Sequence, residues 1–234
     1  MKKIAVITGG TKGIGKAVIE KFATEGFDII TCARSKSDLD KLKTNVSSKF
    51  GVDVHTFTID MSQKKEVAGF VTEINKINGQ IHVLVNNAGL FIPGQMHNEE
   101  DGALEKMINT NLYSAYHMTR GLIEEMKANR LGHIFNICST ASFMPYVNGG
   151  SYCIAKFALL GMSKVLREEM KEHNVRVTSI MPGATYTASW SEADIPEERF
   201  MKSEDVAAAI YNAYEMSDRT VVEEIVMRPQ LGDI

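Results

Sequence analysis

Short β-branched and apolar runs alternate along the chain with longer stretches in which apolar residues return every three to four positions. Compact apolar runs bounded by turn residues read as buried strands, and the longer period reads as helices packed by one face. The pattern predicts strands at Lys3–Thr8, Asp28–Ala33, Val54–Ile59, Val83–Asn86, His133–Cys138, Arg176–Met181 and Glu224–Arg228. Between them it predicts helices at Ile14–Glu25, Lys36–Lys49, Lys64–Asn78, Glu99–Lys127, Tyr152–His173 and Ser203–Tyr214. Such alternation gives an α/β fold with a mostly parallel seven-stranded sheet, because right-handed crossovers lay helices on both faces. A ligand then belongs at the carboxyl ends of the strands. No linker, repeat or low-complexity stretch interrupts the alternation, and the 234 residues suit a single domain spanning 1–234.

Directly behind the apolar run Ile4–Ile7 the chain reads Thr8-Gly-Gly-Thr-Lys-Gly-Ile-Gly15. A buried strand that breaks into spaced glycines and then a helix is how an open α/β sheet makes a pyrophosphate site. Gly9 opens the turn, Gly13 lets a phosphate approach the backbone, and Gly15 lets the helix pack close to the strand. Thr11, Lys12 and Ile14 complete the loop. Gly10 to Lys16 also has the spacing of a triphosphate loop, but the next residue is Ala17, where that chemistry needs a hydroxyl on magnesium. Glycines that merely connect a strand to a helix give the same local signal, so the motif needs support elsewhere.

The charge balance, 26 Lys and Arg against 29 Asp and Glu, leaves −3 and no basic stripe, which excludes the electrostatic footprint of a nucleic-acid binder. Cys32, Cys138 and Cys153 lie in apolar contexts without metal-ligand spacing and read as reduced core thiols. No metal site is expected. The N-terminus enters a strand at once and lacks the apolar length of a signal peptide or membrane span, so a cytoplasmic protein with no membrane partner is expected.

Each strand end offers a test of the dinucleotide reading. Strand two ends in Cys32-Ala33-Arg34-Ser35, without the Asp or Glu that would accept from a free ribose 2′-hydroxyl. Arg34, with Lys12 in the glycine loop, instead suits a 2′-phosphate, which favours NADP(H) over NAD(H). Two solvated surface cations are the bland alternative. Strand three ends at Asp60-Met61, suited to an adenine amine, and strand four in Asn86-Asn87-Ala88-Gly89, where small residues permit close backbone approach.

Candidate chemistry lies in Ser139, which follows strand five, and in Tyr152 with Lys156, four residues apart on one helix face. A tyrosine of pKa near ~10 needs roughly 4 kcal/mol of phenolate stabilisation to titrate at about 7. An ammonium about 4 Å away, at an effective dielectric of about 20, contributes about that amount. Tyr152 would pass a proton to a carbonyl oxygen as hydride arrives at carbon, Ser139 would hold that oxygen, and Lys156 would depress the Tyr152 pKa and grip the ribose. Taken singly, a Tyr and a Lys at this spacing read as a packed ring and a solvated amine, and Ser139 as a turn hydroxyl.

The glycine loop, Asp60, Asn86-Asn-Ala-Gly89, Asn111, Ser139, Tyr152-x-x-x-Lys156 and Pro182-Gly183 stand in the order found in short-chain dehydrogenases/reductases, which the chain resembles over most of its length. The resemblance implies a single-domain doubly wound Rossmann fold and hydride transfer between NADP(H) and a small carbonyl or secondary alcohol. It implies that Gly9, Gly13, Ile14 and Gly15 line the pyrophosphate, that Asp60 and Met61 border the adenine, and that Asn87 lies along the cofactor beside Ala88 and Gly89. Asn111 resembles a fourth catalytic residue that orders a water leading to Lys156; from the residues alone it is a buried polar group in a helix. Thr185 and Thr187, after Pro182 and Gly183, match positions that contact the nicotinamide amide. A homodimer or homotetramer built on helices Glu99–Lys127 and Tyr152–His173 is also implied.

Phe91, Phe143, Met144, Tyr146, Val147, Tyr186 and Trp190 are candidate walls of a partly apolar substrate cleft, and each also reads as core or lid packing. Residues 184–200 suit a substrate lid. The final stretch Val222–Ile234 lacks the glycine-rich tail of 3-oxoacyl-carrier-protein reductases, and His173 stands where those enzymes carry an Arg. The ending is more similar to the sepiapterin-reductase and hydroxy-acid dehydrogenase branches. A non-catalytic dinucleotide sensor would be expected to lose Tyr152 or Lys156, and an epimerase or dehydratase would need a larger C-terminal substrate domain.

Overall fold

Strand β1 (Lys3–Thr8) divides its side chains between two cores, with Ala5 and Ile7 on one face and Ile4 and Val6 on the other. That two-sided burial is why the strand is apolar throughout rather than alternating with polar residues. The computed structural model describes residues 2–187 and 194–234. After β1 come α1 (Gly13–Thr24), β2 (Asp28–Ala33), α2 (Lys36–Phe50), β3 (Val54–Thr58), α3 (Lys64–Ile74) and β4 (Gln80–Asn86). Then follow α4 (Ala103–Ile108), α5 (Ser114–Asn129), β5 (His133–Ile137), α6 (Gly150–Met170), β6 (Arg176–Pro182), α7 (Ser203–Glu215) and β7 (Glu224–Met227).

The seven strands form one sheet, parallel at every pairing, in the order β3-β2-β1-β4-β5-β6-β7. Strand order reverses between β1 and β4, which opens a crevice at their carboxyl ends. α1 and α7 cover one face, where Phe22 meets Phe27 and Tyr211 edge-on at 5.1 and 5.4 Å. Val67 and Phe70 of α3 and Met118 and Leu122 of α5 fill the other.

Buried amides tie α6 to the sheet. Asn86 donates through Nδ2 to Asn136 Oδ1 at 2.8 Å, Asn136 donates to Ser163 Oγ at 2.8 Å, and Ser163 donates to Leu159 O at 2.8 Å. Such a chain has few alternative pairings, so it fixes the rotation and height of α6.

The helix predicted at Glu99–Lys127 differs in the structure. It begins at Ala103, after Gly102 at φ +86°, and widens into one π-helical turn at Asn109–Tyr113 before continuing as α5. Asn111 accounts for the interruption: its amide bonds the backbone of a loop outside the helix, as detailed below. Cys32, Cys138 and Cys153 are buried free thiols. Among the described residues no helix is long and apolar enough to cross a membrane.

Candidate active site

The carboxyl ends of β1 to β4 open into a cleft of about 720 Å³. Its floor is the glycine turn, with Gly9 at φ +69° and Gly13 at φ +52°, backbone conformations that side chains resist. A Cβ on Gly15 would stand 2.4 Å from both Gly9 O and Asn87 Nδ2, so the turn and the end of β4 touch at that point. Asn87 braces the turn, donating to Thr8 O at 2.9 Å and Gly9 O at 3.0 Å, while Thr8 Oγ1 accepts from the Ala88 amide at 2.9 Å.

The N-terminus of α1 has no side-chain cap and no acidic residue in its first turn. By contrast α2 is capped by Ser35, which accepts from the Asp38 amide at 3.3 Å. Free amides and the positive end of the helix dipole therefore face the cleft at α1, which suits an anionic group such as a pyrophosphate.

Thr11, Lys12, Ile14, Arg34, Asp60 and Met61 line the same cleft, as do Ala88, Gly89 and Thr187. Thr187 stands over the glycine turn, its Cγ2 lying 2.9 Å from where a Cβ on Gly13 would be. Asp60 accepts from the Ser62 amide at 2.9 Å and its hydroxyl at 2.8 Å, which aims the carboxyl along the loop after β3. Lys12 is paired with Asp38 at 3.7 Å, an acidic neighbour not anticipated from the sequence. Lys12 is exposed and Asp38 half-buried, so the pair is weak and Lys12 can reorient toward a stronger anion. Lys106, Asn109 and Thr110 also border the cleft and carried no sequence signal, because they come from the helix opposite. Pro182 ends β6, Gly183 donates to Met227 O at 2.8 Å, and Thr185 is buried with Oγ1 on Gly183 O at 3.1 Å.

Beyond the cofactor cleft, Ser139 follows β5 in extended backbone, and Ser142 closes a capping box on it. Tyr152 is in the first turn of α6, beside Ser139, with its ring edge-on to Phe91 at 5.0 Å. Lys156, one turn further, is buried and donates to Ile137 O at 2.8 Å, with Nζ 5.7 Å from the Tyr152 ring centre. Asn111 Oδ1 accepts from the Leu90 amide at 3.1 Å, and its Nδ2 donates to Leu90 O at 2.8 Å and Met107 O at 3.0 Å. Gly89 lies between the two: a Cβ there would be 2.9 Å from Asn111 Oδ1 and 3.8 Å from Lys156 Nζ.

Burial pushes the Tyr152 phenol up, and Ser139 beside it only partly offsets this. Burial also pushes the Lys156 amine down, to about 8. Among the protein's own groups, then, burial decides the Tyr152 pKa, and the Lys156 amine is turned onto Ile137 O.

Of the expected substrate-wall residues, Phe91 sets its ring edge-on against Tyr152, and Tyr146 is near enough to raise the Tyr152 pKa. Tyr146 and Val147 line a separate apolar groove of about 750 Å³ with Ile154 and Phe157 of α6. Met144 lies with Sδ 3.2 Å from Arg228, Tyr186 packs on Phe200 at 5.7 Å, and Phe143 is exposed. Trp190, with residues 188–193 of the expected lid, is outside the described residues.

The sequence pattern that describes the short chain dehydrogenase family matches residues 3–198. The chain is 35% identical to a sepiapterin reductase from Chlorobaculum tepidum, over 100% of this chain and 99% of that one. Its fold is similar to the crystal structure of L-sorbose reductase from Gluconobacter frateurii complexed with NADPH and L-sorbose, with TM-score 0.89 and 28% identity over 96% and 94% of the two chains. It is also similar to an alcohol dehydrogenase from Thermococcus sibiricus complexed with 5-hydroxy-NADP, with TM-score 0.91 and 25% identity over 100% and 99%. The chain belongs to the short-chain dehydrogenase/reductase family and is an oxidoreductase.

Proposed function

We propose that the protein is an NADPH-dependent reductase of small-molecule carbonyls, working in the cytoplasm as a single domain that carries both cofactor cleft and proton donor. The observation that carries this reading is the juxtaposition of Ser139 and Tyr152, backed by buried Lys156, at the carboxyl edge of the sheet beside a cleft with free helix amides. The nicotinamide cofactor supplies the hydride. Tyr152 donates its phenolic proton to the substrate oxygen, and the Ser139 hydroxyl holds that oxygen in place. Lys156 keeps a positive charge behind Tyr152 and offers a donor to a ribose hydroxyl. Asn111 fixes the loop after β4 so that Gly89 stays open beside Lys156.

The α1 amides hold the pyrophosphate, Asp60 and Met61 border the adenine, and Thr185 and Thr187 flank the nicotinamide side. Arg34 and Lys12 receive the 2′-phosphate, in keeping with the NADPH and 5-hydroxy-NADP complexes of the structural relatives. Arg34→Ala is expected to weaken NADPH binding by roughly 10- to 100-fold, the loss of one charge-assisted contact, and to leave NADH nearly unchanged. Fluorescence titration with both reduced cofactors measures this, and equal affinities in the parent protein would refute the assignment. The same protein screened on ketones, aldehydes, 3-oxoacyl thioesters and sepiapterin tests the activity; no turnover of any carbonyl in the presence of bound NADPH would sink it.

We also assign a homodimer or homotetramer through the outer faces of α5 and α6. Ile154, Phe157 and Val165 form an exposed apolar stripe along α6, with Tyr116 exposed on α5. Phe157→Glu is expected to yield a monomer by size-exclusion chromatography with light scattering, and a wild-type protein that elutes as a monomer would contradict the assembly.

A further inference from the structure

α6 begins without a capping side chain of its own, since Gly149 precedes it and makes no side-chain bond. The first turn nevertheless has a carboxylate partner, supplied from 52 residues away. Glu99 Oε2 accepts from the Ser151 amide at 3.3 Å, and Glu99 Oε1 accepts from the Ser151 hydroxyl. Ser151 is buried, and the residue after it is Tyr152. A carboxylate here satisfies an orphan amide and complements the positive end of the helix.

The backbones around this contact are also joined. The Gly94 amide donates to Asn148 O at 3.0 Å, and Gly94 pairs with Gly149 as a short parallel bridge. The two segments approach so closely that a Cβ on Gly150, at φ +26°, would stand 2.6 Å from Gly94 O and 2.8 Å from Glu99 Oε2. One of these segments follows Phe91, whose ring rests on Tyr152, and the other leads into α6. Ring and phenol are thus each one short segment away from the Glu99 contact.

The geometry points to Glu99 as a positioning residue that clamps the first turn of α6 to the loop after β4 and so sets where the Tyr152 hydroxyl stands relative to Ser139. The inference rests on the reading of Tyr152 as proton donor. Glu99 touches no reacting atom; it acts through Ser151 and the loop. Glutamine at 99 keeps an acceptor for the Ser151 amide and a partner for its hydroxyl, so it preserves the clamp where alanine does not.

The test compares Glu99→Ala, Glu99→Gln and Tyr152→Phe in the full-length protein. Glu99→Ala is expected to lower kcat about 10- to 100-fold, the effect of a reacting group displaced by about 1 Å, with NADPH affinity within about twofold. Glu99→Gln should recover most of that loss. Without cofactor, amide hydrogen exchange in residues 150–153 should be about tenfold faster in Glu99→Ala, while exchange in α1 and β1 is unchanged. Unchanged kcat and unchanged local exchange would overturn the inference. So would a fall in Tm with kcat intact, or a kcat loss accompanied by an equal loss of NADPH affinity. An active Tyr152→Phe would show instead that the reading of Tyr152 is at fault, whereas an inactive Tyr152→Phe beside a fully active Glu99→Ala refutes the clamp alone.

Discussion

Tyr152→Phe is expected to lower turnover about 10³-fold while NADPH affinity stays within about twofold, because the change deletes one hydroxyl that serves proton transfer. The ring remains, so its edge contact with Phe91 at 5.0 Å and the packing at the start of α6 are kept. Ser139 keeps its own backbone partner, accepting from the Ala141 amide at 3.1 Å, and does not lose its position when the phenol goes. What disappears is the phenol that stands beside Ser139. Because burial raises the Tyr152 pKa, the hydroxyl is protonated throughout the neutral range and is a donor from the outset. Steady-state reduction of a responsive carbonyl, measured beside a cofactor titration, checks both halves, and a variant that reduces the carbonyl at the parental rate would end the mechanism.

Lys156→Met is expected to remove turnover and yet to stabilise the protein near pH 7. The buried amine titrates at about 8 in the folded chain against an ordinary value of 10.5. Between those values the unfolded chain binds more protons than the folded one, so stability rises with pH across that window. Below about pH 8 the folded chain bears the whole cost of a desolvated ammonium, roughly 3 kcal/mol from the shift. Methionine removes that cost but leaves Ile137 O without its donor, a loss of about 1–3 kcal/mol. The net gain is therefore about 1 kcal/mol at pH 7, shrinking and reversing as pH approaches 10.5. Thermal melts of both proteins at pH 7 and pH 10 decide it: a Tm difference that does not change with pH contradicts a charged, buried Lys156. On the proposed reading, Lys156 gives up stability for chemistry, as groups at working sites commonly do.

Strand positions were legible because burial on two faces leaves an unmistakable apolar run: β1 and β2 have the predicted ends at Lys3–Thr8 and Asp28–Ala33. β4 starts three residues earlier than predicted, since Gln80 and His82 alternate with Ile81 and Val83 and hid the strand from a search for unbroken apolarity. The glycine turn was readable for the same local reason: its residues are neighbours in sequence and meet one another in space. What stayed hidden depends on distant partners. The π-helical turn follows from Asn111 bonding Leu90, 21 positions back, and Lys156 settles on Ile137 O, 19 positions back. Nothing in the Glu99 neighbourhood announces Ser151, and Asp38 meets Lys12 only because α2 folds back beside the glycine turn. Tyr146 and Val147, expected as substrate walls, line the groove along α6, and Tyr146 is also near enough to Tyr152 to raise its pKa.

The reversal of strand order between β1 and β4 separates two inventories of side chains. On the proposed reading, Arg34 and Asp60 at the ends of β2 and β3 serve the nucleotide, and Ser139 after β5 and Tyr152 on α6 serve the reacting oxygen. Residues in the two sets share no hydrogen bond among those described, so changes in one should add to changes in the other rather than interfere. On that reading, a descendant of this chain can exchange its coenzyme preference by drift at Arg34 and Lys12 without relearning its proton chemistry, and can take up a new carbonyl without disturbing its hold on the nucleotide.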